Sequence, residues 1–98
     1  MVIAVLVLNA RADAKLAARD IAASEVEQVR RNGPYVPRNP HPRVPRSRLM
    51  IGETDGGRTL TVVIQPDVDD PSAWHVRTGW QASPRERDTY RTHTRRRR

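Results

Sequence analysis

Arginine supplies the chemistry in the second half of this chain. Arg48, Arg58 and Arg77 fall in segments patterned like strands, and Arg85, Arg87 and Arg91 in a segment that opens like a helix. A sheet and a helix of that polarity can aim several guanidinium groups at one concave place. Fixed cations around a phosphodiester suffice for RNA cleavage without metal or cofactor, because they stabilise the charge that builds on phosphorus. Arginine suits that task, since its donors are planar, paired and always charged. It moves protons poorly, because it stays protonated far above neutral pH. A neutral histidine or a tyrosine is the natural proton carrier, and His75 and Tyr90 lie in the same stretch.

Other chemistries are poorly supplied. No phosphate-cradling glycine loop, nucleophile elbow or HExxH occurs, and no two histidines stand at metal spacing with a Cys or carboxylate. Asp67, Asp69 and Asp70 lack the glycine and terminal Glu of a calcium loop, so a solvated turn is expected. The absence of cysteine excludes a disulfide framework and thiolate chemistry.

The elements that must position these residues read as follows. The apolar run Val2–Leu8 is too short to span a bilayer and predicts a strand covered on both faces, in a soluble cytoplasmic protein. Asn9 caps a helix whose alanines, Ala10, Ala14 and Ala17, would face the sheet with Ile21, leaving Arg11, Lys15 and Arg19 between them. After a break near Asp20 to Ala22, a second helix runs from about Ala23 to Arg31, and Asn32-Gly33-Pro34 stops it. Five of the eight prolines fall in residues 33–47, which forbids helix and predicts an extended connector carrying Arg38, Arg43 and Arg46. Three strands follow: Arg48–Gly52, Arg58–Ile64 and Trp74–Trp80. Ser83, Pro84 and Glu86 then form a capping box for a last, almost wholly polar helix.

The reading is thus α+β, in the order β-α-α-β-β-β-α, with an antiparallel sheet packed on the two N-terminal helices and a basic C-terminal helix. Residues 1–94 form a single domain and residues 95–98 a disordered arginine tail. The predicted core is Ile3, Val5, Val7, Leu16, Ile21, Val26, Val29, Leu49, Ile51, Leu60, Val62, Ile64, Trp74, Val76 and Trp80. Such a core is marginal for 98 residues, and a partner chain would add stability. The formal charge of +7 is uneven: residues 72–98 carry eight basic and two acidic groups. That excess attracts phosphate or an acidic partner. All but one of the basic residues are Arg, a bias that a GC-rich genome also produces.

Ile51-Gly52-x-Thr54-x-x-Gly57-Arg58-x-Leu60-x-Val62-Val63, a strand ending near Trp80, and Glu86-Arg87-x-x-Tyr90 resemble the BrnT branch of the RelE-like bacterial toxins. Ala17-Ala18-Arg19-Asp20-Ile21 leading into Glu25-Val26-Glu27-Gln28-Val29 is similar to the helical half of that group. In this chain Gly79-Trp80 stands where the group usually carries a basic residue. The resemblance implies the toxin of a type II toxin–antitoxin pair, a metal-independent ribonuclease that cuts cellular RNA through its own 2′-hydroxyl. A cognate antitoxin, acidic or with an acidic segment, would hold it inactive. It also implies a site between the exposed sheet face and the final helix. Arg58, Arg77 and Arg87 would clamp phosphate there, His75 or Tyr90 would move the proton, and Arg43, Arg46, Arg48, Arg85 and Arg91 would hold RNA. No metal or cofactor is called for.

The same residues admit other roles. His75 can be solvent-facing, Tyr90 a packing anchor, Glu86 only a cap, and Arg87 a surface partner of Asp88 or Asp70. His41 and His93 are given no role. The chain can also be read as a noncatalytic basic module that binds nucleic acid or an acidic protein. The clamp requires that Arg58, Arg77 and Arg87 converge.

Overall fold

The computed structural model describes residues 3–40 and 42–96, with backbone alone for 95 and 96. Its elements are β1 (Val5–Val7), α1 (Ala10–Ala17), α2 (Ala23–Arg31), β2 (Arg48–Glu53), β3 (Thr59–Pro66), β4 (Ala73–Gln81) and α3 (Pro84–Arg96). They build a small α+β domain with one four-stranded sheet in the order β1-β4-β3-β2. The sheet is mixed and not antiparallel throughout, because β1 runs parallel to β4, pairing Val5 with Ala73 and Val7 with His75. Parallel neighbours need a long crossover, and here two helices and the β2–β3 hairpin lie between them.

Alternation along the strands divides the interior into two layers. Met50, Leu60, Val62, Ile64, Trp74 and Val76 pack against Leu16, Ile21, Val26 and Val29 of the helix pair. On the opposite face Leu49, Ile51 and Val63 pack against Tyr90, with Tyr35 and Trp80 beside them. The sheet is therefore covered by α1 and α2 on one side and by α3 and the proline connector on the other.

β1 is covered on one face only, against expectation. Leu6 packs on the core together with Ile3 and Leu8, but Val5 is 50% exposed and Val7 38%. The strand lies at the sheet edge, and nothing among the described residues overlies its outer face. Val2 lies outside the described residues. In α1 the buried pair is Ala12 and Leu16, not the alanines 10, 14 and 17. The close approach comes from the sheet instead. A Cβ on Gly79 would stand 3.0 Å from Leu16 Cδ2 and 3.2 Å from the Thr61 carbonyl oxygen.

Local chemistry sets the element ends. Asn9 Oδ1 accepts from the Ala12 amide at 2.8 Å and starts α1. Asp20, in the left-handed region at φ 59, turns the chain into α2, and the Ile21 amide returns to the Leu16 carbonyl at 3.0 Å. Glu25 Oε1 accepts from the Ala22 amide at 3.0 Å and caps α2. Gly57, at φ 89, supplies the conformation that closes the β2–β3 turn. Glu86 and Ser83 satisfy each other's amides at 2.8 and 3.2 Å and open α3. This helix extends to Arg96, through the start of the predicted tail; Arg97 and Arg98 lie outside the described residues.

The connector is more than a spacer. Tyr35 and Ile51 exchange backbone hydrogen bonds at 2.9 Å each, and the Leu49 amide donates to the Pro37 carbonyl at 3.0 Å. The segment thus runs along the outer edge of β2, with prolines where no donor is needed. Tyr35 also stacks on His93 of α3, ring centres 3.7 Å apart and 12° from parallel.

Candidate functional site

Arg58, Arg77 and Arg87 do not meet. Arg58 Nη1 donates to the Asp20 carbonyl at 2.9 Å and to both oxygens of Glu25 at 3.1 and 3.0 Å, on the helix-pair side of the sheet. Arg77 is bonded to Gln65, near the other end of β3, about 20 Å away at the usual rise per residue. Arg87 is half-buried on α3, in the opposite layer from Arg58, and pairs with neither Asp88 nor Asp70 among the described residues. Arg58 is occupied in joining β3 to the start of α2.

The two proton carriers are also placed elsewhere. His75 Nε2 lies 2.7 Å from Asp67 Oδ1. That hydrogen bond, with the amides of Asp69 and Asp70, holds the Asp67 carboxyl below the usual carboxylate range. Asp70 is lowered in the same direction by the Ser72 hydroxyl and amide. The Asp67 and Asp70 carboxylates serve the loop's own backbone, and no group of three potential metal ligands exists among the described residues. Tyr90 is 6% exposed and anchors α3 on Leu49, Ile51 and Val63. His93, given no role from sequence, stacks on Tyr35; His41 lies outside the described residues.

The α3 side of the sheet does carry a basic groove. One wall is the first half of α3, with Arg85, Glu86 and Thr89; the other is the connector, with Arg38, Pro40 and Arg43. Leu49, Ile51, Val63, Thr78 and Trp80 form the floor. Two adjoining hollows of about 590 and 410 Å³ share Pro40, Leu49 and Glu86. Arg19 borders one end. It belongs to the opposite layer but reaches over the edge of β4 and donates to the Gly79 carbonyl at 2.8 Å and to Thr78 Oγ1 at 3.2 Å. That edge is open because β1 pairs only with residues 73–75.

Four arginines from three segments therefore border one groove with an aromatic in its floor and one carboxylate in its wall. Glu86 Oε1 accepts from the Ser83 amide at 2.8 Å and from Trp80 Nε1 at 3.0 Å, so it orients Trp80 as well as capping α3. Its Oε2 takes neither bond. Such a groove can hold a polyanion by its phosphates, lay bases on an apolar floor, and offer a carboxylate oxygen to a hydroxyl.

Of the residues expected to hold RNA, Arg43 and Arg85 line this groove. Arg46 and Arg48 instead border a neighbouring hollow with Trp74 and Pro66, which shares Arg38 with the groove, and Arg48 Nη1 donates to the Val36 carbonyl at 3.3 Å. Arg91 is exposed on α3. The sequence reading missed Arg19 and the dual part of Glu86 and Trp80. The spacing of Arg11, Lys15 and Arg19 by four was the available signal, although α1 ends at Ala17 and Arg19 falls in the turn beyond it. No family model, curated protein or solved structure matches the chain. No helix among the described residues is long and apolar enough to cross a membrane.

Proposed function

We propose that the protein binds single-stranded RNA in the groove between α3 and the proline connector. The observation that carries this is the convergence of Arg19, Arg38, Arg43 and Arg85 on a floor containing Trp80. The arginines take the backbone phosphates, the Leu49–Ile51–Val63–Trp80 floor takes base faces, and Glu86 takes a ribose 2′-hydroxyl, which DNA lacks. Fluorescence anisotropy with single-stranded RNA and DNA of one sequence tests it. RNA binds tighter, and a plot of log K against log salt has a slope of about −3, the value for four phosphate contacts on a single strand. Arg38→Gln with Arg85→Gln flattens that slope by about 1.4. Unchanged binding in this variant, with loss of binding on truncation after Thr94, moves the activity to the terminal arginines and refutes the groove.

A second reading, a BrnT-like toxin of a type II pair that cuts RNA, is favoured by the free oxygen of Glu86 beside these cations. In this reading the RelE-like character of the fold rests on a basic, capped C-terminal helix packed over a small sheet. Glu86 would accept the 2′-hydroxyl proton as that oxygen bonds to phosphorus, Arg43 and Arg85 would stabilise the charge there, and the P–O5′ bond would break with the 5′-oxygen taking a proton from water. An acidic antitoxin segment would fill the groove in the inactive complex. Purified protein incubated with RNA and a chelator then yields 2′,3′-cyclic phosphate ends, and Glu86→Gln binds RNA without cutting it. Intact RNA after prolonged incubation rejects catalysis and leaves the binding function.

A further inference from the structure

Just beyond the groove, at the sheet edge where β1 ends, lies a further hollow of about 360 Å³. Arg11 and Lys15 of α1, Arg43 of the connector and Arg77 of β4 line it, and no carboxylate does. We propose that these four residues form a separate phosphate-binding site that holds an RNA strand after it leaves the groove. The proposal rests on the groove reading for its occupant, not for its chemistry.

Three observations support it. The first is that four unpaired cations cluster with no carboxylate in the lining. Arg30 is paired with Glu27, Arg31 with Asp55 and Arg58 with Glu25, whereas none of Arg11, Lys15, Arg43 and Arg77 is in an ion pair among the described residues. Four like charges left together repel one another, and a bound anion relieves that.

The second is preorganisation. Arg77 is the extra residue of a bulge, since Val63 pairs with Thr78 but Ile64 with Val76, and bulges re-aim side chains. Gln65 Oε1 accepts from Arg77 Nε at 2.9 Å and Nη2 at 2.5 Å, and Gln65 Nε2 donates to the Pro45 carbonyl at 3.2 Å. A neutral partner holds the guanidinium in place without cancelling its charge, and Nη1 is left for a ligand.

The third is continuity. Arg43 lines both this hollow and the groove. Arg11 and Lys15 stand one turn apart on α1, and Arg19, in the turn that follows the helix, stands at the near end of the groove. The phosphate positions therefore form one path from the groove to the hollow.

Two RNA lengths separate the sites: a strand of about four nucleotides fills the groove, and one of about twelve reaches the hollow. In Arg11→Gln/Lys15→Gln/Arg77→Gln protein the long strand binds at least tenfold more weakly, with a salt slope shallower by about 2. The short strand binds as before. Tm is unchanged or higher, because exposed like charges have been removed. Unaltered long-strand affinity overturns the proposal. If this triple variant weakens binding while Arg38→Gln with Arg85→Gln does not, the hollow stands and the groove reading fails. Titration with inorganic phosphate, followed by amide NMR, gives the second arm. Shifts at Lys15 and Arg77 that vanish in the triple variant support the site, and no shift overturns it. Phosphate shifts without any effect of the triple variant on the long strand overturn RNA as the occupant.

Discussion

Replacing Arg58 distinguishes a structural cation from a functional one. One guanidinium nitrogen holds the Asp20 carbonyl and the Glu25 carboxylate, and with them the α1–α2 junction, against the start of β3. Hydrogen bonds to charged groups contribute about 1.5–3 kcal/mol. The two side chains are 32% and 23% exposed, so partial screening brings the expected loss in Arg58→Ala to about 1–2 kcal/mol. For a domain of this size a loss of about 1.5 kcal/mol lowers Tm by about 6–12 °C. Thermal and urea unfolding of wild type, Arg58→Ala, Glu25→Gln and the double variant isolate the pair. The expected coupling is about 1 kcal/mol. RNA affinity, measured well below Tm, stays at the wild-type value. A coupling near zero together with a tenfold loss of RNA affinity would refute the assignment and return Arg58 to the phosphate clamp.

Three further outcomes follow from the packing and the charges. Gly79→Ala places a methyl between Leu16 and the Thr61 carbonyl, and because a central-strand carbonyl cannot retreat, chemical denaturation should show a loss of about 1–3 kcal/mol. Tyr90→Phe keeps the anchor on Leu49 and Ile51 and should leave both Tm and RNA affinity near wild type, whereas Tyr90→Ala costs about 3–5 kcal/mol; loss of RNA chemistry in Tyr90→Phe at constant Tm would show that its hydroxyl reacts. The folded pKa of Asp67 is depressed, so its stabilisation of the β3–β4 loop is complete above its unfolded value, about 3.9, and is lost only as pH falls through the folded one. Amide shifts of Asp69 and Asp70 should therefore hold down to about pH 4 and change below it, and an onset above about pH 5 contradicts the assignment.

What the sequence disclosed was local. Asn9, Asp20, Gly33 and the Ser83–Glu86 box act within a few residues of themselves, so the element ends were legible. Alternation in Leu60, Val62 and Ile64 identified the face that meets the helices. What it concealed was long-range pairing. Arg58 looks like a clamp because Glu25, its partner, lies 33 residues away. Arg19 looks like solvated helix surface because the gap it crosses depends on β1 pairing with only three residues of β4. Val5 and Val7 look buried because an apolar run does not say whether its strand ends up at an edge. Composition showed that arginine was abundant, and only the fold decides which guanidinium groups are already neutralised.

The stack of Tyr35 on His93 fastens the two walls of the groove at one extremity, while the opposite extremity, at Arg19 and Arg43, has no such clasp. The trough is therefore built like a pair of tongs riveted at the far end. A strand bound as proposed would meet joined walls at the rings and unjoined ones toward Arg19. Because the connector is also hydrogen-bonded to β2 and α3 is anchored by Tyr90, the jaws are fixed at the rings, and any change of gauge falls at the unclasped extremity.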